Sequence, residues 1–158
     1  MRKFLLILPL LILSIGITQA QQISLPQTYQ DDNITFAYPA GWVVGSTGSD
    51  VVEIGSSIRA LDAPTAGLDR GEVYIRVLIT VGSLASASPE EYLAQLSSQA
   101  TRNQAYGEID TIRINGRAAA VVVRDDLGRS VQRIIGIIDM GNGRIGGIFA
   151  TVAQEEVD

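Results

Sequence analysis

The sequence predicts an α+β fold in which a helix packs on an antiparallel sheet. Residues from Glu72 to Val81 alternate between the two faces of a strand over ten positions, with Val and Ile on one face. Ser88-Pro89-Glu90-Glu91 combines an N-cap, a proline at the first helical position and a capping-box glutamate. The segments that follow have the length of strands and are separated by turns. Among these turns, Asn115-Gly116 is typical of a type I′ hairpin.

The first twenty residues have the features of an export signal. Arg2 and Lys3 are positive, residues 4–17 are almost entirely apolar, and Thr18-Gln19-Ala20 offers the small residues that a signal peptidase reads. The apolar run is shorter than the ~20 residues of a membrane span. We therefore expect 1–20 to be a signal peptide, 21–32 a leader or linker, and 33–158 a single domain. An uncleaved anchor is the alternative. The protein is then secreted or extracytoplasmic, in the cell envelope or periplasm.

Composition excludes several classes of function. After Ala20 the chain has ten Arg against 17 Asp and Glu, a formal net charge of −7, and no basic cluster that would bind nucleic acid. It has no His and no Cys, and Lys3 is the only Lys. Ser-His-Asp triads, thiol catalysis and His or Cys metal sites are therefore impossible.

The first half of the domain reads as short strands joined by turns. Residues 34–38 alternate as a strand, Pro39-Ala40-Gly41 turns the chain, and Trp42 starts a second strand. We expect the three aromatic side chains here to belong to the core, although they could also line a ligand pocket: Phe36, Tyr38 and Trp42.

Two segments rich in turn-forming residues interrupt the next strands. They are Gly45–Asp50 and Asp62–Gly71, and a binding surface is most plausible on these loops because loops carry function on a rigid sheet. Between them, Val51–Ile54 reads as a short strand and Ser56–Leu61 as a possible further one.

The second half reads as a helix followed by a meander. Tyr92, Leu93, Leu96 and Ala100 form one apolar stripe, and the helix is expected to end between residues 100 and 103. Four strands are expected after it, with turns at 115–116, 125–129 and 141–143: 108–114, 117–124, 130–140 and 144–152.

Two of these strands are apolar on both faces. Val121-Val122-Val123 and residues 134–138 need cover on both sides of the sheet, and one helix covers only one side. We therefore expect either a chain that was cut short of a second helix or a partner that completes the fold. Something is also expected to pack close to the sheet at the glycines of these strands: Gly136, Gly146 and Gly147.

Paired carboxylates are the remaining candidates for chemistry. They occur at 31–32, 90–91, 125–126 and 155–156, where a hydrolase or a cation site could use them. Turns and a helix N-terminus explain the first three pairs better. Residues 141–146 read as a turn rather than a phosphate loop, and the sequon at Asn33 lies where a strand begins. We assign no catalytic, cofactor-binding or metal-binding residue.

The stretch Asn33-Ile34-Thr35-Phe36-Ala37-Tyr38-Pro39-Ala40-Gly41-Trp42 resembles the start of the PsbP-like domains. The 88–93 helix start and the 114–119 hairpin support the resemblance, which extends to about Val152. This family includes the extrinsic photosystem II protein PsbP and bacterial secreted proteins of unknown role. The resemblance implies an α/β/α sandwich around an antiparallel sheet, with a closing C-terminal helix that is missing or truncated here. It also implies an accessory protein without a catalytic set.

Three hypotheses on function follow. The first is a secreted, non-enzymatic interaction or accessory domain that binds a protein partner or an extracytoplasmic assembly. The second is a module that binds a small apolar ligand in a cavity near Gly136 and Gly146, or a divalent cation. The third and weakest is a carboxylate-dependent hydrolase.

Overall fold

The computed structural model describes residues 24–30, 34–48, 50–62, 67–83, 88–129 and 131–153 of the chain. Within them, one α-helix, α1, spans Pro89–Ser98, and a 3-10 turn spans Arg59–Asp62. The strands are β1 (Gln27–Gln30), β2 (Thr35–Tyr38), β3 (Val43–Gly48), β4 (Val51–Gly55), β5 (Val73–Ser83), β6 (Gln104–Ile114), β7 (Arg117–Asp126), β8 (Val131–Gly141) and β9 (Arg144–Ala153). The predicted α+β class is confirmed.

Seven of the strands form one antiparallel sheet. Its order is β3-β4-β5-β9-β8-β7-β6, so two meanders meet where β5 pairs with β9. The alternation predicted for 72–81 is confirmed over the described part: Ile75, Val77 and Ile79 are buried on one face. On the opposite face, Arg76 pairs in register with Phe149.

Tight turns set the register of the second meander. Asn115 and Gly116 have φ angles of 51° and 78°, as the predicted type I′ hairpin requires. Asn142 and Gly143 repeat this pattern between β8 and β9, with φ angles of 57° and 71°. Because side chains alternate with a period of two, these turns decide which residues of each strand face the same side.

A two-stranded ribbon covers one face of the sheet. β1 pairs with β2, so Gln27–Gln30 is a strand and not part of the linker that the sequence suggested. Phe36 is 2% exposed and stacks on Tyr29 with ring centroids 5.1 Å apart. Tyr38 and Trp42 pack against the same cluster, which confirms that the three aromatics belong to the core. We call the side of the sheet under the ribbon the ribbon face.

Helix α1 covers the other face, which we call the helix face. Ser88 Oγ accepts the N–H of Glu91, and the Glu91 carboxylate accepts the N–H of Ser88, as the predicted capping box requires. The helix ends at Ser98, a few residues before the predicted end. The hydroxyls of Ser97 and Ser98 donate to carbonyls of the last turn, and this competes with continuation of the helix.

Other segments also differ from the sequence expectation. β3 continues to Gly48, where a loop from Gly45 was predicted. Residues 56–61 are not a strand. Ser57 Oγ accepts the N–H of Ala60, and a Cβ on Gly55 would lie 2.6 Å from the Ser57 carbonyl oxygen, so the chain folds back on itself there. β6 begins four residues before the predicted strand, at Gln104, because pairing with β7 extends to Asp126.

Candidate interaction surface

The strands β6, β7 and β8 present two apolar faces with different cover. On the helix face, Leu93 of α1 is fully buried against Val122 and Ile137, which are 1% and 0% exposed. Ala120, Ile135 and Ile145 complete this cluster. The helix therefore covers one side of the strands that the sequence identified as apolar on both sides.

The ribbon face of the same strands carries a second set of apolar residues, which we call the open patch. Side chains alternate, so the neighbours of the helix-face residues point to this side. None of them belongs to either of the two apolar clusters of the described residues. The members are Ile112, Ala119, Val121, Val123, Gly136 and Ile138.

Exposure within the open patch is uneven. Ala119 and Ile138 are 4% and 3% exposed, whereas Val121 and Val123 remain partly exposed. Gly136 pairs in register with Val121 and lacks a side chain, so no β8 side chain stands directly beside that valine. Among the described residues, the apolar cluster beneath the β1–β2 ribbon reaches the border of the patch only at Ile134 and Ile148.

Charged residues lie around the patch. Arg117 Nη1 donates to the carbonyl oxygen of Asp139 at 3.2 Å, so its guanidinium lies at the β6–β7 hairpin end. Asp125 accepts a 3.0 Å hydrogen bond from Gln132 at the opposite end of β7. Asp110 is exposed on the edge strand β6, in register with Val121. The patch therefore has a positive end and a negative end.

An ion cluster fixes one end of β7 on the helix face. Asp126 is 8% exposed and lies 2.9 Å from Nε of both Arg124 and Arg133. The Arg124 guanidinium also lies 5.7 Å from the centroid of the Tyr106 ring. Burial alone would lower the pKa of Arg124, but hydrogen bonds to Tyr106 and Asp126 and the charge of Asp126 outweigh it and raise that pKa. The sequence predicted a strand up to Arg124 and a turn from Asp125, whereas β7 continues to Asp126, and the pairing of Asp126 with the two arginines was not predicted.

A second cluster of polar side chains lies in the other half of the sheet, on strands β4 and β5. The buried Tyr74 hydroxyl donates to the Glu53 carboxylate at 2.6 Å, and Arg76 lies 3.4 Å from the same carboxylate oxygen. Burial and the hydrogen bond to Glu53 raise the pKa of Tyr74 well above its usual range. A tyrosine held protonated in this way is a structural donor and not an activated nucleophile.

The loop before β5 is pinned by Glu72. Its carboxylate accepts hydrogen bonds from Ser57 Oγ at 2.6 Å and from the N–H of Asp69 at 2.9 Å, and Arg59 lies 3.0 Å away. These contacts, the Ser57 hydrogen bond first, lower the pKa of Glu72. Of the loop 62–71 that was predicted to carry a binding surface, residues 63–66 lie outside the described part.

A cleft of about 340 Å³ lies between the start of α1 and the β6–β7 hairpin. Its lining includes Glu90, Thr111 and Arg113. At the helix N-terminus beside it, the N–H groups of Ser88 and Glu91 are already hydrogen-bonded within the capping box. This cleft does not lie near Gly136 and Gly146, where the sequence suggested a cavity. A Cβ on Gly146 would already meet Met140 Sδ at 3.2 Å, which confirms a close approach there.

The carboxylate pairs are separated by the fold. Glu90 and Glu91 lie in the first turn of α1, as predicted, while Asp125 and Asp126 point to opposite faces of β7. The pairs at 31–32 and 155–156 lie outside the described residues. Within the described ranges, no three acidic side chains are grouped as a metal site would require. No helix in these ranges is both long and apolar enough to cross a membrane.

Comparison with known proteins identifies structural likenesses. No family model and no curated protein matches the sequence. The fold is similar to the crystal structure of PA94 from Pseudomonas aeruginosa, a protein of unknown function described as a candidate regulator. The TM-score is 0.50 and the identity 15%, over 80% of this chain and 82% of that one. It is also similar to the solution structure of cyanobacterial PsbP from Synechocystis sp. PCC 6803, with a TM-score of 0.45 and 11% identity, over 88% and 86% of the two chains.

These likenesses concern the fold. At 15% identity, the first shows a shared architecture and nothing about activity. The second carries the name of the family that the sequence resembles, and at its TM-score it supports no conclusion about this chain's function.

Proposed function

We propose that the protein is an exported, non-enzymatic interaction domain that binds a protein partner through the open patch. The observation that carries this proposal is the contrast between the two faces of β6–β8. The helix face is sealed by α1, whereas Val121 and Val123 stay partly exposed on the ribbon face. Partly exposed apolar side chains in a contiguous group are typical of protein-binding surfaces.

The chemistry of the chain supports a role without catalysis. It has no His or Cys, and the buried Tyr74 is held by Glu53. Arg124 and Asp126 form an ion pair, with 2.9 Å between Arg124 Nε and Asp126 Oδ1. Among the described residues, these buried polar groups therefore link neighbouring strands, which favours a structural role for them.

A capture experiment with paired variants tests this function. The mature chain is immobilised and exposed to the envelope and secreted fractions of its native host. Val121→Glu places a charge in the open patch, while Leu127→Glu changes a side chain that is 68% exposed at the β7–β8 turn. We expect the wild type and Leu127→Glu to retain the same specific protein and Val121→Glu to lose it. Equal retention by all three forms would contradict the proposal.

Export is tested separately. Residues 1–20 fused to a reporter enzyme should carry the reporter out of the cytoplasm, because an apolar stretch behind two positive residues is what the export machinery reads. Retention of the reporter inside the cell would contradict the export part of the proposal and leave the binding part open to the capture experiment.

A further inference from the structure

Strand β6 forms one edge of the seven-stranded sheet, and the described residues place no strand beside it. From Ile109 to Ile114 it pairs with β7 in an unbroken register, whereas a bulge interrupts the pairing between Tyr106 and Ile109. Natural sheets protect their edges with bulges, prolines or charges, because an open edge is a template for another strand. Here the bulge lies near the beginning of β6, and the regular half of the strand lies beyond it.

The hairpin fixes which backbone groups of β6 point away from the sheet. Across the type I′ turn at Asn115-Gly116, the flanking Ile114 and Arg117 form a hydrogen-bonded pair. Hydrogen-bonded and non-hydrogen-bonded pairs alternate along antiparallel strands. The β6 residues of the non-hydrogen-bonded pairs therefore direct their N–H and C=O groups to the edge. These residues are Ile109, Thr111 and Arg113.

We infer that this edge binds an extended, basic segment of a protein partner as an additional strand. Each of the three residues offers one backbone donor and one backbone acceptor, in the spacing that another extended chain matches. Ile112 of the same strand belongs to the open patch, so an added strand continues that apolar surface on the ribbon face. The inference rests on the proposed function, because it assigns the chemistry of the partner and its mode of binding.

The cleft beside α1 lies along the same part of the edge. Thr111 and Arg113 line it from β6, and Glu90 lines it from the first turn of the helix. Thr111 pairs with Ala120, a member of the helix-face cluster, so Thr111 and Arg113 both project on the helix face. In a strand added antiparallel to β6, the residue opposite Thr111 projects on this face too, and its side chain reaches the cleft.

The charges around the edge favour a basic segment. Glu90 and Asp110 are exposed and make no hydrogen bond or ion pair with the described residues. Arg113 is the one cation of β6, and its Nη1 donates to the carbonyl oxygen of Gly116 at 3.1 Å, which holds the guanidinium at the hairpin. A lysine opposite Thr111 therefore finds a carboxylate in the cleft, whereas an acidic side chain there is repelled.

Titration of a fluorescein-labelled peptide against the mature chain, followed by fluorescence anisotropy, tests the inference. The capped peptide Lys-Thr-Val-Lys-Val-Thr-Lys alternates like a strand and reads the same in both directions. We expect binding with a dissociation constant below about 1 mM, and at least about tenfold weaker binding when glutamate replaces the central lysine. No binding of the lysine peptide up to about 1 mM would overturn the inference.

Variants of the chain separate strand addition from charge attraction alone. Thr111→Pro removes an N–H group that points away from β7, so it should weaken peptide binding at least about tenfold without breaking the β6–β7 ladder. Thr111→Val keeps that N–H group and should bind like the wild type. Glu90→Gln should weaken binding at least about threefold, whereas Asp50→Asn, which removes an exposed charge between β3 and β4, should not. Binding that Thr111→Pro leaves unchanged would refute strand addition.

Amide hydrogen exchange measured by NMR gives a result that depends on no variant. With the peptide bound, the amides of Thr111 and Arg113 should exchange more slowly, because they gain hydrogen bonds at the edge. The amides of Asp110 and Ile112 already bond to β7 and should not change. Slower exchange at neither pair, or equally at both pairs, would contradict the inference.

The two proposals fail separately. A host protein that Val121→Glu loses but Thr111→Pro retains would leave the proposed function standing and overturn the added strand. A host protein that Thr111→Pro loses but Val121→Glu retains would support the added strand and remove the open patch from the proposed function.

Discussion

The two faces of β6–β8 differ in cover although their side chains are alike. Val122 packs under α1 and is 1% exposed, whereas Val121, its neighbour in the same strand, lies in the open patch. The residue type is therefore not what seals one face. The helix face has a capped helix that delivers Leu93 to it, and the described residues deliver no such element to the open patch. The two faces therefore differ in the element that covers them and not in their residue types.

The largest effect is expected from removing the side chain that seals the helix face. Leu93→Ala should lower the free energy of unfolding by about 3 kcal/mol, because Leu93 is fully buried and its truncation leaves a cavity. Urea unfolding followed by circular dichroism measures the change. The exposed Ile58→Ala serves as a control, with 77% of that side chain accessible in the wild type. A loss below about 1 kcal/mol for Leu93→Ala would mean that α1 does not seal this face.

A matched pair of substitutions in one strand sharpens the comparison. Val122→Ala should cost about 2 kcal/mol of unfolding free energy, because it removes buried methyl groups. Val121→Ala should cost less than about 1 kcal/mol, because that side chain is partly exposed. Both are measured by urea unfolding. Equal losses for the two variants would show that the open patch is sealed in the isolated chain.

The smallest effect is expected far from both faces and depends on pH. Contacts with Ser57, Asp69 and Arg59 depress the pKa of Glu72 below its ordinary value of 4.5. A carboxylate with a depressed folded pKa stabilises the protein above its unfolded pKa. This contribution is lost as the pH falls from about 4.5 through the folded value. Ser57→Ala removes the largest contribution and should raise the pKa of Glu72.

Carboxyl NMR of Glu72 measures this pKa directly in the wild type and in Ser57→Ala. The stability difference between the two proteins, obtained by urea unfolding, should shrink as the pH falls below the wild-type pKa. Neither quantity should depend on α1 or on the open patch. An unchanged pKa in Ser57→Ala would mean that the hydroxyl does not hold the carboxylate.

Local signals predicted much of the fold. The capping box at Ser88, the hairpin at Asn115-Gly116 and the alternation of β5 are all confirmed, since each depends on neighbours in the chain. The errors came where distant contacts decide. Gln27–Gln30 is too polar to read as a strand, yet it pairs with β2, and residues 56–61 fold back because Ser57 and Glu72 hold them.

Only part of the candidate interaction surface could be predicted from the sequence. The apolar character of residues 121–123 on both faces predicted that β7 needs cover on both sides; α1 supplies it on one face, and cover on the other face stays a prediction. Arg124 was predicted to end a strand and Asp126 to lie in a turn, because nothing local shows that Arg133 and Tyr106 lie beside them. Those groups come from the neighbouring strands β8 and β6.

The sequence by itself determined the chemistry that is possible, the export signal that is predicted, and the strands that are apolar on both sides, because composition and periodicity are properties of the chain. Only the tertiary structure decided which of those sides α1 covers and which side keeps partly exposed valines among the described residues. That choice depends on the order of strands in the sheet and on the path of the chain from β5 through the helix to β6, and neither is written in any local pattern.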